Sequence, residues 1–473
     1  MRRLKAPAAN GEVLAEPGFD AIPALVEANR KLLDRDDIRI DGISLRELRA
    51  LARREVFDDS NDSPLLLAGH QPELSHPGVW IKNFALNGLA RKLGGIPLHL
   101  VVDCDSIKST SVKLPTFHDR DPTSVHLATV PYDVPRGKPT FEEYAIQSRD
   151  SFDAFLPTVA ELTRNWGLRP LVLDAWQAVD PSARLVGEQL AELRQRYERE
   201  WGCRNRELPV SVLSRTQAFR HFTRHIIGDL SRFRDAYNAA IRSYRQSNRI
   251  RSHSHPAPEL DPGELPFWEQ SHEGRRKPGV DFDPTQLRPR ALTLTLFARL
   301  CLGDFFIHGI GGGKYDEVTD AIIRDYFGIE PPAYQVLSAT LHLPLPGFAS
   351  SQADVERAAS LVRDLHWNPQ RHVVPPSFDD PRMIRLVADR IAMASNEPSF
   401  KDLPGRRAWF GRLRDLNERL RPYVWKQVPP ATAASIVART EARANAVLQR
   451  RDFAWVLYPE TTLRPFLQRF LDV

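Results

Sequence analysis

Apolar and polar positions change their spacing several times along the chain, and each change marks an element. Ile22 to Leu33 and Leu45 to Val56 carry apolar residues at helical spacing, with one polar face, and predict two amphipathic helices. Pro64 to Ala68 is a short apolar run of the kind found in a strand covered on both faces. Pro77 to Leu93 predicts a helix and Pro97 to Val102 a second buried strand, ending in Asp103-Cys104-Asp105. Two buried strands joined by one helix predict a parallel pair with a right-handed crossover, the unit of a Rossmann-like α/β sheet.

Val112 to Val134 alternates polar and apolar residues and predicts an inserted hairpin or irregular loop. Phe141 to Trp166, Pro181 to Trp201 and Thr216 to Tyr244 predict long helices, with a strand at Leu208 to Leu213. The α/β pattern resumes after Arg290. Ala291 to Cys301 reads as helical or mixed, Asp304 to Ile307 as a strand, Asp316 to Phe327 as a helix and Tyr334 to Leu343 as a strand. Arg-, Glu- and Ala-rich stretches from Ser351 to Leu365 and Asp380 to Leu448, broken by prolines, predict a helical hairpin appendage. These readings divide the chain into residues 1–244 and 290–350 as two parts of one Rossmann-like core. Residues 245–289 form an irregular connection or lid, 351–450 the appendage, and 451–473 a C-terminal segment that docks on the core.

Composition narrows the function classes. A chain of 473 residues with 42% hydrophobic and 26% charged residues has enough apolar surface for a sizeable core, so bulk disorder is excluded. The net charge of +5 is spread over helices and not gathered into runs, which suits a small anionic ligand better than nucleic acid. With three cysteines and no Cys-x-x-Cys pair, neither a disulfide framework nor a thiolate metal site is expected. No apolar run reaches the roughly 18 residues of a membrane span, and Met1 to Asp20 lacks an apolar signal region, so a cytoplasmic protein without membrane contact is expected.

Two blocks far apart in the chain carry the candidate chemistry. Gly69-His70-Gln71-Pro72 follows the first core strand, and His308-Gly309-Ile310-Gly311-Gly312-Gly313-Lys314, continuing to Tyr315 and Asp316, follows the later one. Strand ends that open helices present free N–H groups to anions, so the two blocks predict one shared cleft. Four glycines in five positions, Gly309 to Gly313, could form a nest of successive N–H groups. A flexible turn is the alternative. His70 and Gln71 could donate to phosphate or carboxylate oxygens, or His70 could cap a helix. Lys82, one turn into the first crossover helix, could point back at the same anion or lie at the surface. Asp103 and Asp105 could hold a substrate amine, ribose hydroxyls or Mg²⁺, or be ordinary loop residues. His221 and His225 sit at metal-face spacing but lack a third ligand. Neither a Walker A loop nor Gly-x-Ser-x-Gly occurs.

Ala68-Gly69-His70-Gln71-Pro72-Glu73-Leu74, then Pro77-Gly78 with Lys82, then Val101-Val102-Asp103-Cys104-Asp105 resemble the first sheet block of the bacillithiol-biosynthesis cysteine-adding enzymes. Arg288-Pro289-Arg290, Phe306, Gly311-Gly312, Tyr315 and Pro332 to Leu341 are similar to that family's second block, and Arg451 to Leu471 to its closing segment. The resemblance covers about a third of the chain, in order. It departs at His70, which replaces a glutamine, at the acidic strand end, which lacks a histidine, and in the short, proline-broken appendage. It implies a nucleotidyltransferase-type (HUP) Rossmann-like core, a coiled-coil arm used for homodimerisation, and ligation of cysteine to a glucosaminyl-malate acceptor. Amide formation needs an activated carboxyl group, for which ATP with Mg²⁺ is the simplest source. Charge on phosphate or acyl oxygens would then meet the loop N–H groups, His70, Arg290 and Lys314, while Asp103 or Asp105 would hold the amine. A binding or scaffolding protein that keeps the cleft without turnover is the alternative.

Overall fold

A computed structural model describes residues 4–57, 62–135, 137–182, 185–271, 274–374 and 380–473. The chain divides into two compact units, one of residues 1–114, 128–344 and 451–473, the other of residues 115–127 and 345–450. The first unit is α/β. Its six-stranded sheet consists of β1 (Val13–Glu16), β2 (Leu65–His70), β3 (Ile96–Val101), β4 (Arg206–Pro209), β5 (Phe305–His308) and β6 (Tyr334–Ala339). Their spatial order is β1-β6-β5-β2-β3-β4, and every pair is parallel except β1 with β6.

This order is Rossmann-like. After the antiparallel edge strand β1, the chain starts the parallel part of the sheet at β2, winds outward through β3 and β4, then returns to lay β5 on the other side of β2. The point of reversal lies between β2 and β5, where Phe305 pairs with Leu66 and Ile307 with Ala68. Their carboxyl ends therefore emerge side by side, at the position where an open α/β sheet leaves a crevice.

Helices α1 (Ile22–Leu33) and α2 (Leu45–Phe57) follow the expected bounds. In α3 (Pro77–Leu93) the bounds come from the sequence directly: Pro77 suits the first turn and Gly94 ends the helix in the left-handed conformation at φ 60°. The helix is buried nearly all round, because β6 lies against one side and the C-terminal segment against another. A Cβ on Gly78 would lie 1.9 Å from the Ala339 carbonyl oxygen, and one on Gly88 would lie 2.6 Å from that of Phe470. Only glycine permits both approaches.

Several element expectations change. Phe141 to Trp166 holds α4 only over Arg149–Leu162, and α5 spans Val186–Glu200, with residues 183 and 184 of its expected start outside the described ones. Thr216 to Tyr244 is two helices, α6 (Gln217–Gly228) and α7 (Leu230–Asn248), parted at the non-helical Asp229. The strand expected at Leu208 to Leu213 ends at Pro209, beyond which Val210–Leu213 coils. The 245–289 segment contains a three-stranded antiparallel sheet in which Phe267–Ser271 lies at the centre and pairs with Gly274–Arg276 on one side and Leu287–Pro289 on the other. Leading out of that sheet, α8 (Ala291–Phe297) continues into a wider turn over Ala298–Leu302. Then α9 (Ile310–Ile322) begins six residues before its expected start at Asp316, so the glycine block is helix and not loop.

Among its described residues the second unit holds four α-helices: α10 (Gln352–Trp367), α11 (Pro381–Ser395), α12 (Leu403–Val424) and α13 (Val428–Leu448). Leu365, Met383, Val424 and Ala431 form its core, so it is a small bundle rather than a two-armed hairpin. The prolines explain this shape: Pro429 and Pro430 open α13, where missing N–H groups cost nothing, and Pro422 lies in the last turn of α12. The final helix of the chain, α14 (Glu460–Gln468), packs on α3, one layer out from the sheet. Among the described residues no helix is long and apolar enough to cross a membrane.

Candidate functional site

The crevice at the β2–β5 switch point is a cavity of about 920 Å³ within the first unit. Gly69, His70 and Gln71 line it from the end of β2, and His308, Gly309, Gly311 and Gly312 from the end of β5 and the start of α9. The two sequence blocks thus share one cavity. Most of its wall is apolar, from Leu100, Leu292, Leu294 and Phe306, and the polar groups gather at the strand ends.

Two helices open into it, α3 from His76 and α9 from Gly309, and neither N-cap residue makes a side-chain capping bond. The first intrahelical bond of α9 runs from the Gly313 N–H to the Gly309 carbonyl at 2.9 Å, so the N–H groups of Ile310, Gly311 and Gly312 precede the ladder. Free N–H groups and the positive end of the helix dipole favour an anion there. This replaces the expected nest. None of the block's glycines has a positive φ, so their successive N–H groups follow helical geometry.

Steric demand at two of these positions accounts for the glycines. A Cβ on Gly313 would lie 2.3 Å from Val336 Cγ2, and one on Gly312 would lie 2.8 Å from His308 Nδ1. Gly313 is therefore a packing residue, absent from the cavity wall, and not a ligand contact. Gly311 has open space where its Cβ would be. Gly69 is likewise extended in β2, with Leu100 atoms 3.3–3.4 Å from a built Cβ, and makes no sharp turn.

Asp316 is also removed from the ligand set. It is fully buried on α9, with Oδ2 2.6 Å from His308 Nε2 and 2.9 Å from Arg299 Nη1. Burial alone would raise its carboxyl, but His308 and Arg299 outweigh burial and hold it well below the carboxylate range. His308 reaches the cavity wall while its ring is stacked on Phe306 at 4.2 Å. Asp103 turns away as well: it accepts from the backbone N–H and hydroxyl of Ser211 and does not line the cavity. Both aspartates lie past the end of β3 at Val101, where the two-residue strand period no longer sets the side a residue faces, and of the two only Asp105 reaches the cavity.

Asp105 is not free. It accepts from Gln71 Nε2 at 2.7 Å and pairs with Arg275 at 2.6 Å. Arg275 lies 4.9 Å from the Trp268 ring centroid, and Arg290 covers the same ring at 4.2 Å. Arg290 in turn pairs with Glu264 at 2.8 Å. The three-stranded sheet of the expected lid thus forms a wall in which each cation has a carboxylate and an indole face. Lys314 and Tyr315 line the cavity from α9, and Lys314 has no ion pair among the described residues.

His70, half-buried, places Nδ1 3.1 Å from the Gln71 carbonyl oxygen, and burial together with Lys82 pushes its imidazole down to about 3. Lys82 is buried against the same wall and donates to the Gly69 carbonyl. Sequence reading missed His76, whose Nδ1 is buried without a partner and whose ring is pushed down to about 4 by burial and Arg451. Its signal was present, since a residue directly before Pro-Gly at a helix start is the N-cap. Trp268, Arg275 and Arg451 were also missed, because nothing local in their segments tells that they face β2 and β5.

Among the described residues no cluster of three or more His, Cys, Asp or Glu could hold a metal ion. His221 and His225 instead serve Asp41: His221 Nδ1 lies 2.7 Å from its carboxylate, and the Asp41 N–H donates to His225 Nδ1 at 3.3 Å. Cys104 is buried, and burial pushes its thiol far above the thiolate range, so it is no nucleophile. No protein-family model and no curated protein matches the chain.

Proposed function

We propose that the chain is a carbon–nitrogen ligase that joins the carboxyl group of an amino acid, cysteine by the resemblance, to the amine of a small amino-sugar-derived acceptor. The observation that carries this reading is the pair of uncapped helix N-termini, α3 and α9, opening into one cavity at the sheet's reversal point. Two such ends suit a ligand with more than one anionic group, as a nucleotide or an activated carboxyl compound has. A volume of about 920 Å³ is in the range of small-molecule and cofactor sites.

In this reading the N–H groups of Ile310, Gly311 and Gly312, with Lys314, hold phosphate oxygens. His70, neutral because of its burial and with its Nδ1–H given to the Gln71 carbonyl, leaves Nε2 as an acceptor for a ligand N–H or O–H and adds no charge. Asp105 remains as the carboxylate nearest to an incoming ammonium group. ATP would supply the leaving group, and Mg²⁺ would arrive on its phosphates, since the wall offers at most one carboxylate. The nucleotidyltransferase (HUP) type of core belongs to the same proposal. So does a homodimer through the helical unit, where Ile384 and Ile391 on α11 and Leu403 and Phe410 on α12 are exposed at seven-residue spacing.

The test is product formation. With nucleoside triphosphate, cysteine and glucosaminyl malate, the protein should release AMP or ADP and form the amide in equal amounts. A second reading, binding without turnover, is favoured by the structural bonds that occupy Asp103 and Asp316. It expects thermal stabilisation by nucleotide with no product.

A further inference from the structure

Lys82 stands out on the cavity wall. It is 3% exposed, and its Nζ donates to the Gly69 carbonyl at 3.0 Å. Among the described residues it has no other hydrogen bond and no carboxylate within 4.0 Å. An ammonium group has three donors and a full charge. A single neutral acceptor leaves two donors and the charge uncompensated, which a buried site tolerates poorly.

The neighbouring side chains on β2, β3 and α3 do not offset this charge, because burial keeps the histidines among them neutral. His70 on β2, His99 on β3 and His76 at the head of its own helix lie in the field of Lys82, with Arg451 and Asp452 beyond His76. Only Asp452 among them is acidic. Burial lowers the Lys82 ammonium to about 8, so neutral amine is accessible close to physiological pH.

Building on the ligase reading, we propose that Lys82 is the general base of the reaction, taking at Nζ the proton that the acceptor's ammonium group must lose before its nitrogen attacks the activated carboxyl carbon. The ammonium gives one proton to Nζ. The freed lone pair forms the C–N bond while the C–O bond to phosphate breaks, and phosphate leaves with that electron pair. The second nitrogen proton goes to phosphate or water, and Lys82 then returns its own proton to water. Nothing is oxidised or reduced.

The experiment compares wild type with Lys82→Met, which keeps the volume, and Lys82→Arg, which keeps the charge but accepts no proton. Three readouts are taken: carboxylate-dependent exchange of pyrophosphate into nucleoside triphosphate, amide formation against pH, and hydroxamate formation from hydroxylamine, which is already deprotonated at neutral pH. Both variants should retain exchange and lose amide formation by roughly a hundredfold or more, as for removal of a general base. The rise of kcat/KM through about 8 should vanish with them. Hydroxylamine should restore Lys82→Met to near the wild-type rate. Full activity in Lys82→Arg would overturn the base role in favour of charge alone. Loss of exchange without hydroxylamine rescue would overturn it in favour of binding. If wild type shows neither exchange nor hydroxamate with any carboxylate, the ligase reading itself falls, and the base role with it. A ¹⁵N-lysine NMR titration tests the base separately: a midpoint for Lys82 at the ordinary value of about 10.4 would remove it while leaving the ligase reading standing.

Discussion

His308 Nε2 lies 2.6 Å from Asp316 Oδ2, joining the last residue of β5 to the second turn of α9 beneath the cavity floor. Arg299 Nη1 reaches the same oxygen, at 2.9 Å, and the carboxylate is fully buried. Asp316→Asn removes one of the two carboxylates that compensate Arg299, Asp320 at 2.7 Å being the other, and the variant should lose about 2–4 kcal/mol of stability, somewhat less than for a buried cation left with no partner. Urea unfolding checks this. An unchanged midpoint would show that packing alone sets the start of α9.

The three adjacent glycines should respond differently to alanine. Gly311→Ala meets nothing and should stabilise α9 by about 0.5–1 kcal/mol, through helix propensity. Gly313→Ala drives a methyl into Val336 and should cost about 1–3 kcal/mol. Gly312→Ala presses on His308, a cavity-wall ring, so nucleotide affinity should fall along with stability. Thermal unfolding and nucleotide titration of the three variants separate these effects. Equal stability changes at all three positions would contradict the geometry.

Lys314 and Arg290 line the same cavity but differ in their partners. Lys314→Ala should leave stability within about 0.5 kcal/mol, as at an unpaired surface position. It should weaken nucleotide binding by about 1.5–3 kcal/mol through loss of a charged donor. Arg290→Ala leaves Glu264 paired with Lys277 alone, at 2.9 Å, and uncovers Trp268, so its main effect should be on folding, about 1–3 kcal/mol. Isothermal titration and urea unfolding on both variants decide between the two outcomes.

The neutral histidines make stability fall in mild acid. Burial, first among the causes, pushes His70 to about 3 and His76 to about 4, and holds His99 well below its ordinary value. In the unfolded chain each titrates near 6.5, so below that pH the unfolded state binds more protons and stability drops as pH falls toward 4. The limiting slope is about 1.4 kcal/mol per pH unit for each histidine still neutral. Urea unfolding at about pH 7.5 and about pH 5 measures the loss, which His99→Gln should reduce. Asp316, lowered in the folded state, adds its own loss only below the ordinary carboxylate range.

The sequence by itself determined what depends on neighbours in the chain. Apolar spacing placed α1, α2 and α3, and the runs at Leu65–His70, Ile96–Val101 and Phe305–His308 marked buried parallel strands within a residue or two. Strand-end glycine blocks then pointed to the cleft, because strand ends and helix starts are local features. What only the tertiary structure decided was which polar group faces the cavity. Asp103 and Asp105 are two residues apart, yet one is held by Ser211 and the other reaches Gln71 and Arg275. Asp316 looked like a ligand group until Arg299 and His308 were found on it. The glycine block read as a loop because four glycines disfavour a helix by about 1 kcal/mol each. The helix forms nonetheless, since Val336 and His308 lie so close that a side chain would not fit, and Val318 and Ile322 bury the turns that follow. Such choices rest on contacts between residues far apart in the chain, which no local pattern records.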